Sequence, residues 1–237
     1  MLHNRCMTRP ASHLTANVSK PTLPCVLVTG FDAFGGASIN PSWLAAQALG
    51  GEILTGHRVV VGQLPTEFEE SANVLVHLLM QNKPRLVLCV GQAGGRNALS
   101  IERIAINIID ASIADNAGRQ PLDRPVIASG PAAYFSTLPI KAMFEAVQQA
   151  GIAAEVSQTA GTFVCNHVFY TLLHVIATTR GLKGMSGGFV HVPYLAEQGS
   201  PSMPLMDMVR GLRIAIDCAL TTQNGPIPST VSAGKLN

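Results

Sequence analysis

From Val26 onward, short apolar runs alternate with stretches in which apolar residues recur every three or four positions. The first pattern suits strands and the second amphipathic helices, and their alternation predicts an α/β fold of parallel strands joined by crossover helices. Val26-Leu27-Val28-Thr29 opens as a strand and enters the turn Gly30-Phe31-Asp32-Ala33-Phe34-Gly35-Gly36. Asn40 and Pro41 read as the cap and first residue of a helix that Gly50-Gly51 closes. Residues 57–64 read as a strand, and Thr66-Glu67-Phe68-Glu69 as a capping box for a helix with Phe68, Ala72, Leu75 and Leu79 on its apolar side.

Residues 86–90 show no alternation, so they predict a strand covered on both faces, followed directly by Gly91-Gln92-Ala93-Gly94-Gly95. Residues 101–109 read as one strand with Glu102 and Arg103 near its start. A long polar loop leads to a helix over 139–150 ended by Gly151, a strand over 153–157, a helix over 165–180, a strand over 188–192 and a helix over 205–220. One domain over 26–222 is expected, flanked by a disordered extension (1–25) and a flexible tail (223–237) rich in Gly, Pro, Ser and Thr.

Composition narrows the class. Only 13% of the residues are charged, where an ordinary soluble domain carries about 25%. Residues 156–179 contain no Asp, Glu, Lys or Arg and are long enough to cross a bilayer, but Ser157, Gln158, Asn166, His167 and His174 would leave polar groups unpaired in lipid. Disorder is excluded by a hydrophobic content of 47%. The basic residues Arg5, Arg9 and Lys20 account for the formal net charge of +2, so the body is close to neutral and offers no face for nucleic acid. Five widely spaced cysteines without a C-x-x-C pair form neither a disulfide framework nor a zinc site, which fits a reducing cytoplasm.

Reactive groups in an open α/β sheet gather beyond the carboxyl ends of the strands. Cys165 begins a helix, where the dipole favours a thiolate, and His191 ends the next strand. If the intervening helix joins neighbouring parallel strands, thiol and imidazole meet as an activated nucleophile, and Glu102 is placed to hold the imidazole tautomer. Each has a plainer reading: Cys165 as a small buried hydrophobe, His191 as a core histidine, Glu102 as the ion-pair partner of Arg103 or of a distant cation. Cys89 and Cys218 read as structural, and His167 points away from Cys165. The two glycine-rich turns suit either an anion cradle or close approach to a neutral ligand with Phe31 and Phe34 as walls.

Taken in order, the segments Val28-Thr29-Gly30-Phe31 through Phe34-Gly35-Gly36, Asn40-Pro41, Gly91-Gln92-Ala93-Gly94-Gly95-Arg96, Glu102-Arg103-Ile104-Ala105-Ile106-Asn107, Gly161-Thr162-Phe163-Val164-Cys165-Asn166 and His191-Val192-Pro193 resemble the pyroglutamyl peptidase I family over nearly the whole body. The resemblance implies a three-layer α/β/α sandwich with a mostly parallel, partly mixed sheet, and a cysteine omega-peptidase that removes an amino-terminal pyroglutamyl residue. It implies no metal or cofactor, and assembly as a homo-oligomer, tetramer or dimer. The family's catalytic residues fall on Cys165, His191 and Glu102, and its lactam pocket on Phe31, Phe34, Gln92, Ile113, Phe163 and Val164. Such a pocket needs no acid, because a lactam carries no ammonium. One departure bears on activity: the family usually reads Asp-Ala-Arg-Ile-Pro-Asp-Asn, whereas Asp110-Ala111-Ser112-Ile113-Ala114-Asp115-Asn116 stands here. Losing that guanidinium suggests an alternative, an impaired relative that binds pyroglutamyl peptides or a protein partner, and Ala114 for proline predicts a looser loop.

Overall fold

The run Val26-Leu27-Val28 forms the heart of β1 (Cys25–Phe31), and Asn40 caps α1 (Pro41–Ala48) by accepting the Ser42 N–H at 3.1 Å, with Pro41 at the first helical position as predicted. The computed structural model describes residues 23–222 and 232–234, so the expectations for the extension and the tail lie almost wholly outside the described residues. A two-residue strand β2 (Ile53–Leu54) precedes β3 (His57–Leu64), α2 (Phe68–Asn82) and β4 (Leu86–Gln92). Next come β5 (Leu99–Glu102), β6 (Ile104–Ile106), β7 (Ala133–Phe135), α3 (Ile140–Gln149) and β8 (Ala154–Ser157). The chain continues through α4 (Val164–Thr178), β9 (Ser186–Val192) and α5 (Leu205–Thr222).

Seven strands form one sheet in the order β2-β3-β1-β4-β9-β5-β8. Its centre, β3-β1-β4-β9, is parallel, while β5 runs antiparallel to β9 and β2 antiparallel to β3. Strand alternation sorts the side chains. Val26, Val28, Leu86, Leu88, Val90, Val190 and Val192 meet α1, α3 and α5, whereas Leu27, Val87, Cys89 and Phe189 meet α2 and α4. The result is the expected three-layer sandwich. Each of these side chains, taken fully out of water, contributes about 1.5–3 kcal/mol, so the two helix layers anchor the sheet from both sides.

Three local readings needed correction. No capping box opens α2: Glu67 is its cap residue and makes no side-chain cap bond. Thr66 instead gives its N–H and hydroxyl to Asp32 Oδ1, both at 2.7 Å, and Asp115 Oδ2 accepts the Phe68 N–H at 3.0 Å. Two carboxylates from distant loops thus outcompete the local one. Residues 101–109 are not one strand but divide at Arg103 between β5, in the large sheet, and β6, paired antiparallel with β7. Asn166 explains the division, since its side chain accepts the Ile106 N–H and donates to the Ile106 and Ile108 carbonyls at 2.9 to 3.0 Å, satisfying that backbone away from the sheet. The helix expected to reach Arg180 stops at Thr178 and gives way to a single 3₁₀ turn at Arg180–Leu182. No helix among the described residues is long and apolar enough to cross a membrane.

Candidate active site

The alternation that sorts the core also sets the chemistry. In β4, β9 and β5 the residues facing α4 include Cys89, Phe189 and, by the same parity, Gly91, His191, Ser100 and Glu102. Register brings them level: His191 lies opposite Gly91 on one side and Ser100 on the other. The conditional route to a meeting of Cys165 and His191 fails, because β8 and β9 are neither neighbours nor parallel. They are separated by β5, the strand that carries Glu102. β8 ends with Ser157 level with Glu102 of the neighbouring β5, and residues 158–163 connect it to α4.

Cys165, in the first turn of α4, sets its sulfur over Gly91: a Cβ built on Gly91 would lie 2.8 Å from Sγ and 2.8 Å from Phe189 Cζ. Only glycine leaves that space. Gly91→Ala is therefore expected to displace the thiol and lower kcat by roughly 10- to 100-fold, with KM little changed; steady-state kinetics beside a thermal melt checks this.

His191 Nδ1 is 2.8 Å from Glu102 Oε1, and the two side chains are 5% and 0% exposed. A carboxylate can only accept, so Nδ1 carries the proton and Nε2 keeps the lone pair in the neutral ring. The Phe189 ring packs 4.8 Å from the imidazole. Burial, and after it the nearby Glu102 charge, pushes the Cys165 thiol up to about 12, with Arg96 opposing in part. The resting sulfur is a neutral thiol. The helix dipole favoured a thiolate, but the desolvation of this position outweighs it.

Glu102 does not pair with Arg103, which donates from Nε to Gln158 Oε1 at 2.9 Å. Its partner is Arg96, whose Nη1 lies 2.8 Å from the same Oε1 that meets His191. Sequence reading missed this role, although Arg96 is the single cation between Arg85 and Arg103. The second carboxylate oxygen, Oε2, is buried without a partner.

The six pocket positions divide. Phe34, Gln92 and Ile113 line a cleft of about 620 Å³ together with Tyr194, Glu197 and Gln198. Phe163 backs it, its ring 6.2 Å from Phe34 and 5.3 Å from Phe68. Phe31 and Val164 are buried in the core, Phe31 against Phe189 at 6.4 Å. Ser112 is exposed beside the half-exposed Ile113. The loop is pinned despite Ala114, because Asp115 accepts the N–H groups of Phe68, Ala117 and Arg119 while Asn116 donates to the Ala33 carbonyl at 2.9 Å. Glu197 places one acid at the cleft, where none was expected. Of the other singled-out groups, His167 is buried against Phe68 with its imidazole pushed down to about 4 by burial, and the Cys89 thiol is pushed up to about 12 for the same reason. No cluster of three or more His, Cys, Asp or Glu among the described residues could hold a metal ion.

A family model described as pyroglutamyl peptidase matches residues 25–222. The chain belongs to the pyroglutamyl peptidase family. It is 56% identical over 206 residues to pyrrolidone-carboxylate peptidase 1 of Ralstonia nicotianae, covering 85% of this chain and 95% of that one. The pyrrolidone-carboxylate peptidase of Escherichia fergusonii is 54% identical over 200 residues, covering 82% and 92%. Among solved structures, pyroglutamyl peptidase I of Bacillus amyloliquefaciens superposes with a TM-score of 0.82 at 43% identity, covering 84% of this chain and 98% of its own. The pyrrolidone carboxyl peptidase of Thermococcus litoralis reaches 0.84 at 32% identity, covering 88% and 100%. The match takes in the body from β1 to α5, so the pyroglutamyl peptidase fold accounts for all the strands and helices described above.

Proposed function

We propose that this protein is a cysteine omega-peptidase that hydrolyses the amide bond following an amino-terminal pyroglutamyl residue. The observation that carries the reading is the buried His191–Glu102 couple level with Gly91, the residue over which the Cys165 sulfur rests. In this reading Cys165 Sγ attacks the pyroglutamyl carbonyl carbon as His191 Nε2 takes the thiol proton, and Glu102 stabilises the resulting imidazolium. The Cys165 N–H, in the first helical turn where amides lack intrahelical acceptors, donates to the oxyanion. Collapse breaks the C–N bond, the amine departs with the proton from His191, and a thioester remains. Water, deprotonated by His191, then releases pyroglutamate and restores the thiol.

The substrates are peptides with a blocked, uncharged amino terminus, and the setting is cytoplasmic. The test of the activity is release of a fluorophore from a pyroglutamyl amide, with Cys165→Ala as the control. The reading also includes assembly of like chains into dimers or tetramers. It is supported by exposed Leu122, Phe135 and Met206, which offer apolar surface. Sedimentation equilibrium is expected to give a mass at least twice that of the chain, and a monomer at micromolar concentration would overturn the assembly.

A further inference from the structure

Beside the cleft, one short chain of hydrogen bonds decides which end of a carboxamide a ligand meets. Gln198, in the turn after β9, accepts the Leu195 backbone N–H at Oε1 (3.1 Å) and donates from Nε2 to the Ile39 backbone carbonyl (3.3 Å). A backbone N–H only donates and a carbonyl only accepts, so these contacts establish which Gln198 atom is nitrogen. That Nε2 also lies 3.0 Å from Gln92 Oε1. The contact is a hydrogen bond only with the Gln92 oxygen there; a turned-over amide would set N–H against N–H. Gln92 Nε2 therefore remains as the free end, with no protein partner among the described residues and not sealed from solvent, on a residue that lines the cleft.

We infer that Gln198 is a positioning residue that sets specificity, locking Gln92 so that its N–H₂ group faces the cleft and demands a hydrogen-bond acceptor from the ligand. This deepens the peptidase reading and rests on it. A pyroglutamyl ring supplies the acceptor through its lactam carbonyl. A prolyl ring lacks that carbonyl and bears a charged secondary ammonium, which has no acceptor to offer and sets donor against donor. Sites that hydrogen-bond a substrate group reject analogues lacking it far more strongly than apolar walls do, because the buried partner is left unpaired. Gln92 is the last residue of β4, directly after Gly91, so its side chain leaves the opposite face of the strand from the Cys165 sulfur and lines the cleft at that strand end. Glu197 lines the same cleft but is exposed, so water weakens its pull on an ammonium.

The test compares wild type, Gln198→Glu and Gln198→Met on pyroglutamyl and prolyl aminomethylcoumarin amides. In Q198E the new carboxylate has no donor for Gln92, which then turns its N–H₂ inward and shows its oxygen to the cleft. The kcat/KM for the pyroglutamyl amide is expected to fall about 100-fold, chiefly through KM, and the pyroglutamyl-to-prolyl ratio at least about tenfold. Q198M releases the lock without reversing it, with an expected rise in KM of about tenfold, and it carries the test alone if Q198E does not fold. Melting temperature and thiol counting establish that each variant is folded with Cys165 intact. Folded variants that keep the wild-type KM and ratio overturn this inference while leaving the peptidase reading in place. A fall in kcat on both substrates with KM and the ratio unchanged also overturns it. Wild-type protein inert on the pyroglutamyl amide overturns the peptidase reading and this inference with it.

Discussion

Cys165→Ala reduces kcat/KM on a pyroglutamyl fluorogenic amide by at least about 10⁴-fold, to the background of the reagent, while the melting temperature stays within a few degrees of wild type. Removing Sγ deletes the nucleophile but leaves the Gly91 and Phe189 surroundings, which a smaller side chain does not crowd. Equal rates for wild type and variant between pH 6 and 9 would sink the peptidase reading. The same sulfur reports its resting state. Burial and the Glu102 charge hold the thiol protonated, with a pKa near 12. Below that pKa the thiolate fraction rises about tenfold per pH unit, so alkylation of the free protein by iodoacetamide climbs steadily from pH 6 to 10. A plateau below pH 7 signals a preformed thiolate–imidazolium pair instead. With a neutral resting thiol, attack must be coupled to proton transfer, which makes the orientation of His191 decisive.

Glu102→Gln lowers kcat by roughly 10³- to 10⁴-fold with little change in KM. The amide keeps the shape and still accepts a hydrogen bond, but it is uncharged, so the imidazolium formed during attack meets the Arg96 guanidinium without an anion between them. A second readout moves the opposite way. Glu102 is one of the groups raising the Cys165 pKa, so its loss lowers that pKa and increases the thiolate fraction at a given pH, visible as ultraviolet absorbance of the thiolate. Catalysis falling while the thiolate becomes more accessible separates a role in orienting and neutralising His191 from simple damage to the fold. If kcat stays within about threefold of wild type, Glu102 is a structural ion-pair member and nothing more.

Much of the architecture was legible because its signals are local. Unbroken apolar runs such as 86–90 can be stable only when both faces are covered, and Asn40-Pro41 caps a helix through contacts two residues away. Cys165, His191 and Glu102 stand out as candidates by their places at a helix start and on buried strands, but each also has a plainer reading in the sequence, and it is the family resemblance that favours the reactive one.

Two of the errors share one cause, competition from partners far along the chain. Asp32 and Asp115 displaced a capping box that was sound in isolation, and Asn166 drew Ile104–Ile106 out of the main sheet across some sixty residues of sequence. The antiparallel entry of β5 between β9 and β8 is of the same kind. Periodicity reports which face of a strand is apolar but not which strand lies beside it, so the topological route expected to bring Cys165 and His191 together was incorrect.

What residue order alone specified, then, was which segments are strands or helices and which of their faces are apolar, since both follow from side-chain chemistry repeated at a fixed spacing. Strand order and the pairings it creates were settled by folding in three dimensions. Arg96 on Glu102, Gln198 on Gln92 and the Cys165 sulfur over Gly91 are contacts of single atoms, and hydrogen bonds and close packing depend on distances of a few tenths of an ångström that no spacing along the chain encodes.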